Sequence, residues 1–258
     1  MKEKFNTISN RLVYLIVLLT GLFFITRNNL GDDMNLVPGD LGDARFNAYI
    51  LEHGYKYFAG TTESYWNAPF MVPDQDVISY SDNLLGILPF YAVFRSMHYD
   101  VLTSFQFMFL VLVILNYSTC FLFLKWVFKS PFAASLGAFV FAFSISLQSQ
   151  ITHAQTFGRF AGPLAFLFLL MFSQDRKLRN LFLSFICFVW QLYSGIYLGL
   201  LFFVPYITVL LAISFKNNKS LPKEVYKNYG LPKILLCFIV PFLSIIPLLG
   251  PYLHRSSV

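Results

Sequence analysis

Apolar residues run through this chain in six blocks, at positions 12–25, 103–124, 131–147, 160–172, 181–215 and 231–250, and most charged residues lie between them. A bilayer core of ~30 Å takes about 20 mostly apolar residues per helix, and lipid offers an unpaired backbone no partner. Each block therefore predicts a membrane-spanning α-helix. The 35 positions of block 181–215 would reach roughly 52 Å at 1.5 Å per residue. That block predicts a tight pair of spans turning near the YSG at 193–195. The pattern as a whole predicts an all-α, polytopic transmembrane helical bundle of about seven spans.

The first block follows Lys2, Lys4 and Arg11, a layout shared by signal-peptide cores and uncleaved anchors. The sequence after it, TRNNLGDD, has no small-residue cleavage site. It reads as a retained first span with the N-terminus in the cytoplasm. Residues 84–97, LLGILPFYAVFRSM, are apolar but short and interrupted by Pro89. A crossing there would turn Lys125, Lys129, Arg176, Lys177, Arg179 and the lysines from Lys216 to Lys227 outward, against the positive-inside rule. With 84–97 lying in the interface, 13 of the 19 Lys and Arg face the cytoplasm. Ten of the 13 acids then fall in one external segment between Gly31 and Asp100.

Composition agrees with this layout: 57% hydrophobic residues, 12% charged residues and a mean hydropathy of +0.60 exclude an ordinary soluble domain. The net charge of +6 follows from topology and does not point to nucleic acid. Cys120, Cys187 and Cys237 lie inside apolar blocks without metal-like spacing and read as packing residues. Gly195 and Gly199 form one GxxxG, a signal of close helix packing more than of dimerisation. No P-loop, dinucleotide fingerprint or zinc motif is present in the sequence.

The segment 27–100 is predicted to be an extracytoplasmic loop with amphipathic and interfacial helices, and a structured loop of this length tends to carry function. Its GDLGDARFNAYILEHG reads as a helix that starts near Asp40 and stops at Gly54. Capping accounts for Asp40, which can accept from free N–H groups of the first turn. Asp43 occupies the capping-box position and complements the helix dipole, or its carboxylate is free for chemistry. Asp74, Asp76 and Asp82 read as solvated loop acids, and the aromatic–proline stretch 65–73, YWNAPFMVP, suits the membrane surface.

A cytoplasmic N-terminus, one span, a long external loop with an acid near the start of its first helix, an interfacial helix and then many spans resembles the GT-C superfamily of integral-membrane glycosyltransferases. GDLGDARFNAYILEHGYKYF, YWNAPFMVPDQDVISYSDNLLGILPFY and SLQSQITHAQ resemble blocks of bacterial membrane proteins of that kind. The resemblance covers nearly the whole chain as one transmembrane domain, 1–258, and is strongest in the first hundred residues. It implies a multi-pass protein of the bacterial cytoplasmic membrane that transfers a sugar from a polyprenyl-phosphate donor to an extracytoplasmic acceptor. Proteins of the superfamily usually continue with further spans, so the chain reads as an N-terminal portion.

The resemblance makes Asp43 the matching catalytic acid, with Asp40 beside it. A hydroxyl is a poor nucleophile, and a carboxylate within hydrogen-bond reach can take its proton. The leaving lipid phosphate needs positive charge. The second external loop, QSQITHAQTFGR, offers His153 and Arg159 for this. The alternatives are a loop imidazole bonded to backbone and a snorkelling interfacial anchor. Metal-dependent relatives carry acidic metal ligands in that loop and this chain has none, although Asp40, Asp43 and His153 are a conceivable divalent-metal set. Glu52 points away from the face shared by Asp43 and Asn47 and is a weaker substrate-binding candidate. Gln191 and Tyr193, near the outer end of the tight pair, are candidates for substrate contact or interfacial hydrogen bonding.

Two other classes remain open: a multi-pass membrane transporter, and a non-catalytic assembly factor that binds lipid-linked sugar. Blocks 103–124, 131–147 and 181–215 contain no ionisable Asp, Glu, Lys, Arg or His, and no internal repeat is evident. That weighs against conduction through the bilayer midplane.

Overall fold

The computed structural model describes residues 2–216 and 220–256, and these are helical with no strand among them. Six stretches are long and apolar enough to cross a bilayer: Arg11–Leu30, Val101–Phe128, Pro131–Gln148, Ala154–Asp175, Ile196–Phe215 and Val225–His254. The protein is a multi-pass helical membrane protein. Its chain divides into two compact units, one of residues 1–65 and 87–160, the other of residues 66–86 and 161–258.

The first unit begins with the long helix α1 (Lys2–Leu30), followed by α2 (Asp43–Phe58), α3 (Leu88–Ser96), α4 (Val101–Phe128), α5 (Pro131–Phe143) and the single turn α6 (Ile145–Gln148). Helix α4 is capped by Asp100, whose carboxylate accepts from the N–H groups of Leu102 and Thr103 at 2.9 and 3.0 Å. Hydrogen bonds from Thr103 hold that carboxyl below the usual aspartate range. Helix α5 starts on a Ser130 cap with Pro131 in its first turn, where a missing N–H costs nothing. Pro89 does the same for α3, so it opens that helix and does not interrupt it. At nine residues α3 is about 14 Å long, too short to cross.

Helices α1 and α4 both pack with α5. Tyr14 of α1 hydrogen-bonds Ser118 of α4 at 2.8 Å, tilts against Tyr117 and meets Phe121 edge to face. Polar side chains of α4 hold loop backbone. Gln106 donates to the carbonyls of Met34 and Leu36, both at 2.7 Å, and Asn116 to that of Phe157 at 2.9 Å. Such pairings matter where no water can stand in for them.

In the second unit, residues 66–86 carry a 3-10 turn (Val77–Tyr80), and four helices follow: α7 (Ala161–Asp175), α8 (Leu178–Ser194), α9 (Ile196–Lys216) and α10 (Ser220–Ser256). The block 181–215 breaks at Gly195, which is extended (φ −178°, ψ 120°), so the predicted tight pair is α8 and α9, turning at the YSG. Helix α8, with 17 residues, reaches about 26 Å and is not among the six stretches long and apolar enough to cross. Gly199 lets α9 close on α8, since a Cβ there would lie 2.7 Å from Leu192 Cα. Helix α10 kinks at Gly230 (φ 72°) and carries four prolines further on. Three lysines of the predicted cytoplasmic loop, Lys216, Lys219 and Lys223, lie outside the described residues or have undescribed side chains. The three cysteines are free.

Residues 66–86 are bound to the α8–α9 turn. Gly86 N donates to Tyr193 O at 2.5 Å, Trp190 Nε1 to Gly86 O at 2.9 Å, and Asn83 Nδ2 to Leu192 O at 3.2 Å. Asp82, expected to be solvated, is only 3% exposed. Its Oδ1 accepts from Tyr197 N at 3.3 Å, so it supplies negative charge to the first turn of α9.

Candidate functional site

Helix α2 is where the sequence-singled acids gather. It begins at Asp43, with Gly42 as a cap that makes no side-chain bond. Asp40 lies just outside, and its Oδ1 accepts from Gly42 N at 3.0 Å and Ala44 N at 3.3 Å. Asp40 therefore does the capping work available to it, from outside the helix start. The helix does not stop at Gly54 but runs on to Phe58. Gly54 is instead a packing position, where a Cβ would lie 2.9 Å from Leu88 Cδ2 and 3.0 Å from Tyr65 Cε2.

Asp43 is free of capping duty and meets the second loop. Its Oδ2 lies 3.4 Å from His153 Nδ1, with side chains 62% and 36% exposed respectively. One turn further along the same face, Asn47 donates to Thr152 O at 3.1 Å. Gly39 (φ +102°) completes the approach, because a Cβ there would lie 3.1 Å from Thr152 Cα and 2.4 Å from Ala44 Cβ. The first and second loops thus meet along Gly39, Asp43 and Asn47, leaving a carboxylate and an imidazole side by side and open to solvent. The chain reaches His153 from Asp43 by crossing along α4 and returning along α5. Two crossings and no third fit an α3 that stays on the surface.

The other candidates have different surroundings. Glu52 is 14% exposed and clamped to α3. Arg95 grips it with Nε to Oε2 at 2.7 Å and Nη2 to Oε1 at 3.1 Å, and Tyr91 donates to Oε2 at 2.8 Å. Burial pushes the carboxyl up, but the bonds from Arg95 and Tyr91 outweigh it and leave Glu52 below the usual glutamate range. Such a group stabilises the fold above its unfolded pKa of about 4.3, and that contribution is lost as pH falls through the lower folded value. We expect Glu52→Gln to cost about 2 kcal/mol near neutral pH, and to flatten the loss of stability below about pH 4. Thermal melts of the two proteins between neutral and acidic pH check this. His53, buried, bonds through Nε2 to Ser64 O and Tyr65 O, both at 3.0 Å, and is structural.

Arg159 faces inward. Its guanidinium donates to Phe141 O of α5 and lies 4.5 Å from the Phe141 ring centroid, while its buried Nε has no partner among the described residues. No described contact joins it to Asp43 or His153. In the second unit, Gln191 is 2% exposed, and Tyr193 donates to Ser244 O at 2.5 Å. Both sit among the hydrogen bonds and packing of α8.

Among the described residues no three His, Cys, Asp or Glu side chains are grouped to hold a metal. Asp40, turned to Gly42 and Ala44, does not join Asp43 and His153 as a third ligand. The described residues do not fit a three-ligand metal site. No known protein family, curated protein or solved structure matches the chain. The functional reading therefore rests on the site itself. Of the residues at this junction, the sequence singled out Asp43 and His153, and placed Asn47 only by its face. That Asn47 and Gly39 seat the second loop had no sequence signal beyond the i,i+4 spacing from Asp43 to Asn47.

Proposed function

We propose that this protein is a membrane glycosyltransferase, moving a sugar from a polyprenyl-phosphate donor to an acceptor hydroxyl on the extracytoplasmic face. The carrying observation is the exposed Asp43–His153 pair, 3.4 Å apart, at the junction of the two loops. In this reading both loops are extracytoplasmic and the N-terminus is cytoplasmic, as the distribution of Lys and Arg favours. Asp43 takes the proton of the acceptor hydroxyl as its oxygen bonds to the anomeric carbon. The bond from that carbon to the donor phosphate oxygen breaks, and the lipid phosphate leaves with the electron pair. His153, when protonated, offsets the charge growing on that phosphate. The isoprenoid tail stays in lipid, which explains a reaction centre on loops anchored to spans.

Arg159, held on Phe141 of α5, adds a positive charge to the second loop, and in this reading it supports the donor phosphate by its field. The deciding experiment incubates the purified protein with a panel of polyprenyl-phosphate sugars and measures both binding and transfer. Transfer to an acceptor is the expected result. Binding without turnover supports the assembly-factor reading, and neither binding nor transfer overturns the proposal.

A further inference from the structure

The second unit carries a feature unrelated to the Asp43 site. Along the α8–α10 seam lies a cavity of about 430 Å³ lined by Phe182, Tyr229, Leu236 and Val240 together with Arg179 and Lys233. Further along the same seam, Ile186, Trp190, Tyr193 and Ser244 line a second cavity of about 310 Å³. The positions fall on one stripe of each helix: 179, 182, 186, 190 and 193 on α8, and 233, 236, 240 and 244 on α10. From Arg179 to Trp190 the stripe runs about 17 Å, close to one leaflet's share of a ~30 Å hydrocarbon core.

We propose that this groove binds one anionic phospholipid, its phosphate held between Arg179 and Lys233 and one acyl chain lying along Phe182, Leu236 and Val240. The charge distribution selects this occupant. One cation from each helix lines the cavity, and among the described residues no acid does. The acid nearest in sequence to Arg179, Asp175, is engaged by Asn180 Nδ2 at 2.9 Å and by Lys177 Nζ at 3.5 Å. Arg179 and Lys233 have no ion pair among the described residues, and both are exposed. The first turn of α8, with no side-chain cap, adds backbone N–H groups beside Arg179. Basic pockets between spans recur as anionic headgroup sites, because the phosphate finds its charge partner while its chains remain in lipid.

The test uses the purified full chain and native mass spectrometry, with phosphatidylglycerol and phosphatidylcholine of identical acyl chains. The wild type should retain phosphatidylglycerol about tenfold better than phosphatidylcholine, from two cations acting near the membrane surface. Arg179→Gln with Lys233→Gln should remove most of that preference, whereas Arg179→Lys with Lys233→Arg should keep it. Leu236→Trp fills the groove and leaves both cations in place, and it should lower phosphatidylglycerol retention by a comparable factor. Equal retention of the two lipids by the wild type overturns the proposal, as does a preference that survives the double Gln variant. Unchanged retention in Leu236→Trp also overturns it, because the attraction is then diffuse and no chain lies in the groove.

Discussion

Asp43→Asn is expected to lower glycosyl transfer by about 100-fold or more with the fold intact, since positioned acid–base catalysis contributes about 10²–10⁴. The substitution keeps size and hydrogen-bonding shape but removes the carboxylate proposed to accept the acceptor's proton. Structure should suffer little, because Asp43 is exposed and makes no cap bond at the start of α2. Asp40→Asn is the matched control. Asp40 accepts from Gly42 N and Ala44 N, so its loss should cost ~1 kcal/mol or less while turnover is nearly preserved. His153→Gln should fall between the two, lowering turnover without loss of inserted protein. The measurement is turnover with whichever polyprenyl-phosphate sugar the panel identifies, alongside melting temperature. If Asp40→Asn abolishes transfer and Asp43→Asn does not, the wrong carboxylate has been given the role of base. If neither changes turnover, the mechanism proposed for this loop fails.

The division of labour between the two acids was only partly readable from sequence. Helix periodicity placed Asp43 and Asn47 on one face, and capping preference made Asp40 the structural acid. Both features depend on residues a few positions apart. The meeting of Asp43 with His153, and of Asn47 with Thr152, depends on α4 and α5 carrying the chain out and back between them. No local pattern encodes that. Glu52 shows the same limit. Its direction away from Asp43 follows from about 100° per residue, but its clamp by Arg95 and Tyr91 needs α3 to pack on α2.

The spans were legible because bilayer thickness imposes a length and an apolar composition on each of them. The α8–α9 break at the YSG was legible because 35 apolar residues exceed one crossing. Glycine and proline were harder, since each has more than one use. Gly54 looks like a helix stop and is a point of close approach; Pro89 looks like an interruption and is a helix start. Asp82 looked like any solvated loop acid. Its burial comes from serving the N-terminus of α9, a partner far along the chain.

Gly86→Val should strongly destabilise the second unit. A Cβ on Gly86 would lie 2.4 Å from Ser194 Oγ, 2.6 Å from Ser194 N and 2.8 Å from Tyr193 C. Two of those three atoms are backbone at the α8–α9 turn, so a rotamer change cannot relieve the overlap. Relief requires moving residues 66–86 away, which gives up the bonds from Gly86 N to Tyr193 O and from Trp190 Nε1 to Gly86 O. Overpacking costs about 1–3 kcal/mol, and each buried hydrogen bond broken adds about 1 kcal/mol. A total of about 3–5 kcal/mol follows, enough to lower the melting temperature by many degrees or to prevent accumulation in the membrane. Gly86→Ala should show a milder form of the same defect. Adding Ser194→Gly should not restore it, because the clashes with Ser194 N and Tyr193 C remain. Gly250→Ala, where a Cβ meets nothing within 4 Å, should be close to neutral. A Gly86→Ala protein as stable as wild type would mean that residues 66–86 are not seated against the α8–α9 turn.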